Sequence, residues 1–512
     1  MPRQQTDHLI QLILSLSKGE KRSFRLFVNR NQSSEDKLFM QLFDLLDKNG
    51  EYNEVTILKR IPKLKKSQLS NVKANLYRQI LLCLRNVHKN PVQEISIREN
   101  IDYAQILYQK GLYKQSLDLL EKAKKAALIN RNYNLALHVL DFERHIESQH
   151  ITGSMFGKAE EIRNLSQQLV QKQVIRNDLA NFSLLLYGYY LQFGYVKNKN
   201  DYRFIKEYFQ NNKPAVKLED LDFYEKLSLY QSYVWFHNMT QDFAHYYQYA
   251  QKWVDLFKED PGKKYTDTSL YLKGIHNVLN ALFMAQRYDK FLPAYEHLID
   301  LGKDTKFLSD QNTHSLWTLF NHIHGINRIF LTAGYSKGIE EIKPLEQIIT
   351  RNIYHWDLNR LLVFYYKIAC VYFGAGDLNR AILYLNKITN HVFPNFRQDI
   401  QCFARILNLI AHFDLGNEVL VSYKVKSVYR FLLKMEDLQE VQREIFRFLR
   451  KTPMMSREDV IPEFVKLKSK LTLLMKDPYE RRPFLYLDII AWLESKIENI
   501  PIAQVIKRNI YH

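Results

Sequence analysis

The chain has 512 residues, with only 16 glycines and 13 prolines, and this scarcity of turn-forming residues argues against a many-stranded β protein or a loop-rich α/β enzyme. Apolar residues make up 46% of the sequence and charged residues 25%, which excludes an intrinsically disordered chain and predicts an all-α protein with an extensive core. The formal net charge of +18 favours anionic partners, such as nucleic acid or an acidic protein, without requiring one.

Residues 1–93 predict a basic helical head domain. Ser17 and Glu20 form the pattern of a capping box that opens a helix, Asn49 and Gly50 end the next helix, and Asn53 caps a short third one. The following helix carries an apolar stripe of residues three or four apart, at Leu69, Val72, Leu76, Ile80, Cys83 and Val87.

The head also has the composition of a DNA-binding helix-turn-helix. Residues 55–93 contain no Asp or Glu but many Lys and Arg. A basic helix of this kind enters the major groove, where lysine neutralises phosphates and asparagine or arginine reads base edges. The candidate DNA-contacting residues are Lys66, Asn71, Lys73, Asn75, Arg78 and Arg85. The alternative interpretation is a basic face that is solvated or docked against acidic residues elsewhere in the chain.

A unit of two helices joined by a short polar turn recurs between residues 94 and 450. The residue after the turn is aromatic or leucine and returns every 41 to 47 residues, at Tyr113, Phe156, Tyr202, Phe243, Tyr288, Tyr335 and Leu378. Stacked hairpins bury a continuous core that one hairpin cannot bury alone. We therefore predict a helical-hairpin solenoid over residues 94–450, followed by C-terminal capping helices at 451–512.

Two of these units resemble the tetratricopeptide repeat. One contains Ala104, Leu107, Gly111, Leu112, Tyr113, Ser116, Leu120 and Ala123, and the other contains Ala369, Tyr372, Gly376, Asp377, Leu378, Ala381 and Leu385. Small residues at these positions let paired helices approach closely, and the other units match more loosely, with a longer period. The resemblance implies a right-handed α-α superhelix, here with an N-terminal helical head, that binds a polypeptide on its concave face.

The resemblance also implies a peptide groove lined by the first helix of each unit. The positions assigned to peptide binding are Gln105, Tyr108, Gln231, Trp235, Asn280, Asn327, Tyr366 and Phe373, with Ile101, His276, Phe283 and Phe330 completing the lining. Asn280 and Asn327 hold equivalent positions in consecutive units, and a carboxamide can pair with both the N–H and the C=O of an extended peptide. The competing interpretation is that aromatic residues at helical spacing belong to the core.

Signatures of catalysis and of metal binding are missing from the sequence. It contains no phosphate-binding loop, no Gly-x-Ser-x-Gly elbow and no His-Glu-x-x-His or Cys-x-x-Cys motif. Asp242, three residues before His245, is best explained as a helix N-cap. The prediction is a non-catalytic scaffold without cofactor or metal that binds a protein or peptide. The alternative is a transcriptional regulator with a DNA-binding head and a sensor array.

The cysteines and the hydropathy pattern indicate a cytoplasmic protein. Cys83, Cys370 and Cys402 are far apart in apolar helical patterns, as expected of buried thiols in a reducing compartment. No stretch approaches the roughly 18 apolar residues of a membrane span, and residues 9–16 lack the cleavage site of a signal peptide. The sequence leaves the oligomeric state open.

Overall fold

The computed structural model describes residues 8–29, 34–50, 53–88, 93–150, 157–390, 398–433, 439–451, 455, 457–481, 484 and 488–511. Within these ranges the regular structure comprises 25 α-helices and one 3₁₀ helix, with no β-strand, which confirms the predicted all-α fold class. The chain divides into two compact units, Met1–Ile175 (unit 1) and Arg176–His512 (unit 2). The predicted boundaries at residues 93 and 450 stay predictions. None of the described helices is both long enough and apolar enough to span a bilayer.

Unit 1 contains the first eight described helices and the start of the ninth. They are α1 (His8–Ser15), α2 (Lys18–Asn29), α3 (Ser34–Asn49), α4 (Glu54–Arg60), α5 (Lys66–His88), α6 (Gln93–Gln109), α7 (Tyr113–Ile129), α8 (Tyr133–Gln149) and α9 (Lys158–Phe193). The predicted capping box is present, because the Ser17 and Glu20 backbone N–H groups donate to each other's side chains at 2.7 and 3.2 Å. The Asn53 cap is present as well, since it accepts from the Thr56 N–H at 3.0 Å.

Two separate apolar cores hold unit 1 together. Helices α1 to α5 bury one core, with Phe24, Phe43 and Ile80 among its most enclosed side chains. Helices α6, α7 and α8 bury a second core with the beginning of α9. The predicted stripe on α5 lies in the first core except for Val87, which is exposed one residue before the helix ends.

Unit 2 begins within α9 and contains the remaining described helices. They are α10 (Lys199–Asn212), α11 (Phe223–Met239), α12 (Phe243–Glu259), α13 (Lys263–Thr266), α14 (Thr268–Met284), α15 (Tyr288–Leu301), α16 (Gln311–Thr332), α17 (Tyr335–Arg351), α18 (Leu358–Gly374), α19 (Leu378–Thr389), α20 (Gln398–Asp414), α21 (Glu418–Leu433), α22 (Glu440–Lys451), α23 (Arg457–Leu474), α24 (Ile489–Glu498) and α25 (Ile502–Tyr511). Helix α11 packs on α12, and from α14 onward each helix packs on the next; α14, α16, α18 and α20 also pack one against the next. One continuous core therefore runs from α11 to α25.

The predicted repeat turns coincide with helix starts at five of the seven marker positions. These are Tyr113, Phe243, Tyr288, Tyr335 and Leu378, which begin α7, α12, α15, α17 and α19. Tyr202 lies inside α10, because Asn198 caps that helix and starts it three residues earlier. Phe156 lies outside the described residues. An additional turn that the sequence interpretation missed precedes Tyr133, where Arg131 adopts a left-handed conformation with φ of 53°.

Small residues of the two tetratricopeptide-like units lie at helix crossings. Ala104 and Ala123 are fully buried between α6 and α7, and Ser116 Oγ donates to the Ala104 carbonyl at 2.8 Å. Ala369 and Ala381 are fully buried in the same way between α18 and α19. In both hairpins these small residues let the two helix backbones approach closely.

Candidate functional site

The first helices of three successive hairpins in unit 2 bring together a polar cluster, in which two side chains are buried and two are half-buried. His276 lies on α14, His324 and Asn327 on α16, and Lys367 on α18. Lys367 Nζ donates to Asn327 Oδ1 at 2.5 Å, and Asn327 Nδ2 donates to His324 Nδ1 at 3.3 Å. His324 Nε2 then donates to His276 Nδ1 at 2.9 Å. The four side chains form one chain of hydrogen bonds across three helices.

Burial controls the charge of this cluster. It lowers the pKa of His276 to about 4 and that of His324 well below its ordinary value, so both imidazoles are neutral at pH 7. Burial also lowers the pKa of Lys367 to about 8. The Lys367 ammonium lies over the rings of Phe283 and Phe330, at 5.3 and 5.2 Å from their centroids. The two ring faces and the Asn327 carboxamide replace part of its lost hydration.

Five of the predicted groove residues are buried in this structure. Asn327, Tyr366 and Phe373 are buried in the core of unit 2, as are Ile101 in unit 1 and Phe283 in unit 2. Asn280 is half-buried, and its amide donates to the buried Tyr246 hydroxyl at 3.1 Å. In this conformation a peptide on the surface cannot reach these five buried side chains, because each is less than a tenth exposed.

The other predicted groove residues are divided between the two units. In unit 1, Gln105 is exposed on α6, whereas Tyr108 packs against Tyr113 and Phe142 and its hydroxyl lies 3.1 Å from His145 Nε2. Gln231 is half-buried on α11 in unit 2. Peptide binding by this set stays a prediction.

Trp235, the remaining predicted groove residue, adjoins an exposed apolar surface. Its ring is half-buried against Tyr187 and Tyr190 of α9, with centroids 4.7 and 5.6 Å away. On the same face of α9, three and four residues from Tyr187, Leu184 is 65% exposed and Leu191 is 52% exposed. We call Leu184, Tyr187, Leu191 and Trp235 the α9 apolar surface. Its three α9 residues were missed because a run rich in Leu and Tyr is typical of a core helix.

Two of the predicted DNA-contacting cations in unit 1 are paired with carboxylates. Lys66 Nζ lies 3.2 Å from Glu54 of α4, and Arg85 lies 3.0 Å from Asp102 of α6. Both pairs are exposed to solvent, so each stabilises the fold only slightly. These ion pairs nevertheless reduce the positive charge that α5 offers to a phosphate backbone near both of its ends.

The remaining candidates on α5 do not share one face. Asn71 and Arg78 are exposed, and Asn75, near them on the helix surface, is half-buried and accepts from Gln79 at 3.5 Å. Lys73 lies two residues from both Asn71 and Asn75, a rotation of about 200° around an α-helix, and is half-buried. Lys73 therefore projects from a different side of the helix than Asn71, Asn75 and Arg78. DNA binding by the head stays a prediction.

One group among the described residues has the composition of a metal-ligand set. His237, Asp242 and His245, at the turn between α11 and α12, place three ligand atoms within 4.8 Å of one another. Asp242 caps α12 as predicted, because its Oδ1 accepts from the His245 N–H at 3.2 Å. The sequence spacing predicts the cap but not the position of His237, because only the turn brings His237 close to Asp242.

A cavity between apolar side chains of unit 2 is too small for a substrate. It is lined by Tyr366, Phe403, Leu407 and Val441, and its volume of about 10 Å³ corresponds to roughly one water molecule.

Comparison of the chain with models of protein families, with curated proteins and with solved structures finds no match. The resemblance to tetratricopeptide repeats therefore stays a prediction that rests on the residues of two units.

Proposed function

We propose that this protein is a non-catalytic helical-repeat scaffold that binds a protein partner through the α9 apolar surface. The observation that carries the proposal is the exposure of Leu184 and Leu191, at 65% and 52%, beside the aromatic rings of Tyr187 and Trp235. Clustered exposed apolar side chains are typical of interaction sites, and Trp and Tyr are frequent among residues that dominate binding energy.

The spacing of this surface suits an amphipathic helix as the partner segment. Leu184, Tyr187 and Leu191 are three, four and seven residues apart and form a ridge, which a second helix can accept between its own side chains. Covering the exposed part of each leucine contributes about 1 to 2 kcal/mol of binding free energy. A partner helix can therefore bind to this ridge although the surface has no deep groove.

Two further observations support a non-catalytic protein in a reducing compartment such as the cytoplasm. The described residues bury all three cysteines as free thiols. The polar cluster of His276, His324, Asn327 and Lys367 satisfies its own hydrogen bonds, which is typical of a structural network.

The proposal is tested by site-specific photo-crosslinking of the full chain in its native host. A photoreactive phenylalanine analogue at position 184 is expected to crosslink to one protein, through a segment with amphipathic helical periodicity. The same crosslink is then measured in Leu191→Asp and in a matched control, Val419→Asp, whose parent side chain is 88% exposed on α21.

Loss of the crosslink in Leu191→Asp, with retention in Val419→Asp, is the expected result. No crosslinked protein, or equal crosslinking in both variants, contradicts the proposal. Nucleic acid that copurifies reproducibly in place of protein favours the DNA-binding alternative.

A further inference from the structure

The geometry points to a metal site at the turn between α11 and α12. We infer that His237, Asp242 and His245 bind one divalent first-row transition-metal ion, with Zn²⁺ as the expected occupant. Asp242 Oδ2 lies 2.7 Å from His245 Nδ1 and 3.5 Å from His237 Nδ1. Among the described residues, no other group of three His, Cys, Asp or Glu side chains gathers its ligand atoms this closely.

One of the three ligand separations matches tetrahedral coordination, and the others reach it by a movement of His245. Zinc ligands at about 2.0 to 2.2 Å from the ion lie roughly 3.4 Å from one another in a tetrahedron. The 3.5 Å between His237 Nδ1 and Asp242 Oδ2 already has this value. His245 has to move away from Asp242 by several tenths of an ångström, which breaks their hydrogen bond of 2.7 Å and shifts its ring against that of His237, 5.0 Å away. Its side chain is 56% exposed, which leaves room for this movement.

The backbone of the turn positions the ligands before any ion binds. The Asp242 N–H donates to the His237 carbonyl at 3.0 Å, which ties two of the three ligand residues together. Gln241 between them has a φ of 60°, and its side-chain amide donates to the Val196 carbonyl at 3.0 Å. Asp242 uses Oδ1 to cap α12, and Oδ2, which is hydrogen-bonded to His245 Nδ1 at 2.7 Å, exchanges that bond for the ion.

A cation also resolves an unsatisfied polar contact. His237 Nδ1 is buried, and its separation from Asp242 Oδ2 lacks the geometry of a hydrogen bond. The ring is packed against the aromatic rings of Phe236 and Tyr249 at 5.1 and 5.5 Å. Buried polar atoms of this kind are rare unless a partner satisfies them. An ion between Nδ1 and Oδ2 accepts electron pairs from both atoms.

The donor set selects the class of metal. Two imidazoles and one carboxylate suit Zn²⁺ and its neighbours, whereas Mg²⁺ and Ca²⁺ prefer oxygen ligands alone. Three protein ligands leave a fourth tetrahedral position for water or for a group from a partner. The inference is independent of the proposed function, because none of the three ligands belongs to the α9 apolar surface.

The test uses full-length protein carrying an affinity tag without histidine and stripped of metal with a chelator. Zn²⁺ binding is measured by calorimetry, and Co²⁺ is added separately to record the visible absorption bands of a tetrahedral ion. Asp242→Asn keeps a side chain that caps helices but removes the anionic ligand. His245→Ala removes the exposed imidazole, and His138→Ala, an exposed histidine on α8, is the matched control.

We expect one Zn²⁺ per chain and a tetrahedral Co²⁺ spectrum in the unsubstituted protein. Asp242→Asn and His245→Ala should lower the Zn²⁺ affinity by at least the roughly 10- to 100-fold that loss of an outer-shell partner costs, while His138→Ala leaves it unchanged. The inference is overturned if the unsubstituted protein binds no zinc, or if both ligand variants, shown to be folded by circular dichroism, bind it as tightly as the control.

Discussion

Lys124 and Glu143 form an ion pair in the interior of unit 1, and breaking it should destabilise this unit strongly. Lys124 Nζ lies 2.9 and 3.0 Å from the two Glu143 oxygens, and the side chains are 4% and 2% exposed. Glu121, on the solvent side, lies 2.6 Å from the same ammonium. The substitution Lys124→Met removes the cation and leaves the Glu143 carboxylate buried without its countercharge.

The expected cost follows from that stranded carboxylate. Removing one partner of a buried pair costs about 3 to 5 kcal/mol, whereas replacing both partners with apolar residues is often neutral or stabilising. Lys124→Met should therefore be strongly destabilising, and Lys124→Met combined with Glu143→Leu should recover most of the loss. Glu121→Gln is the matched control, because Glu121 is itself 40% exposed and its loss leaves Lys124 paired with Glu143.

The pair also has a defined pH dependence. Burial alone would lower the pKa of Lys124, but its hydrogen bonds to Glu121 and Glu143 raise the pKa above its ordinary value of 10.5. The folded state thus favours the charged lysine. The contribution of the pair to the free energy of unfolding is complete below about pH 10 and is lost as the pH rises through the pKa of the folded state.

Hydrogen exchange by mass spectrometry is the suitable assay. All five tryptophans (Trp235, Trp253, Trp317, Trp356 and Trp492) lie in unit 2, so fluorescence does not report on this pair. In the full chain, Lys124→Met should accelerate exchange of the α7 and α8 amides by roughly 100-fold or more, and Glu121→Gln should change it far less. Unchanged exchange in Lys124→Met, or exchange in the double variant as fast as in Lys124→Met, refutes the reasoning.

Three further outcomes are expected in unit 2. Gly374→Ala should lower the free energy of unfolding by about 1 to 3 kcal/mol in urea titrations followed by tryptophan fluorescence, because a Cβ atom there would lie 2.4 Å from the Tyr335 ring; an unchanged midpoint contradicts this. Burial lowers the pKa of Lys367 to about 8, so the folded state loses the cost of a buried charge as the pH rises from 8 to 10.5. Over this range the free energy of unfolding should rise by up to about 3 kcal/mol relative to that of Lys367→Met. Parallel pH dependence of the two proteins refutes this. Burial raises the pKa of Cys370 and Cys402 to about 12, so both thiols should resist Ellman's reagent until the chain is unfolded; rapid labelling of native protein contradicts it.

Local features of this chain could be predicted because they depend on neighbouring residues. Asn53 and Asp242 cap helices with side chains that reach backbone groups three residues away. Gly111 and Gly376 end helices with φ of 76° and 85°, a conformation that glycine adopts without strain. The turn at Arg131 was missed because the same left-handed conformation occurs there without a glycine.

The candidate sites could not be predicted with the same success. The repeat spacing predicts equivalent positions for Asn280 and Asn327, but it does not reveal that both amides bond to side chains of their own unit. Leu184 and Leu191 look like core residues in the sequence, yet no helix among the described residues covers them. His237 meets Asp242 and His245 only through the geometry of one turn.

The amino-acid sequence alone predicts a protein of paired helices with recognisable turns and caps. This is possible because hydrophobic periodicity and helix capping depend on residues close together in the sequence. Which faces of those helices meet another helix, and which stay open to a partner or an ion, depends on residues from elsewhere in the chain. Packing between helices brings together the ion pairs Arg85–Asp102 and Lys124–Glu143 and the hydrogen bond from Lys367 to Asn327. Spacing defines a helical face, but its surroundings come from the helices that pack on it.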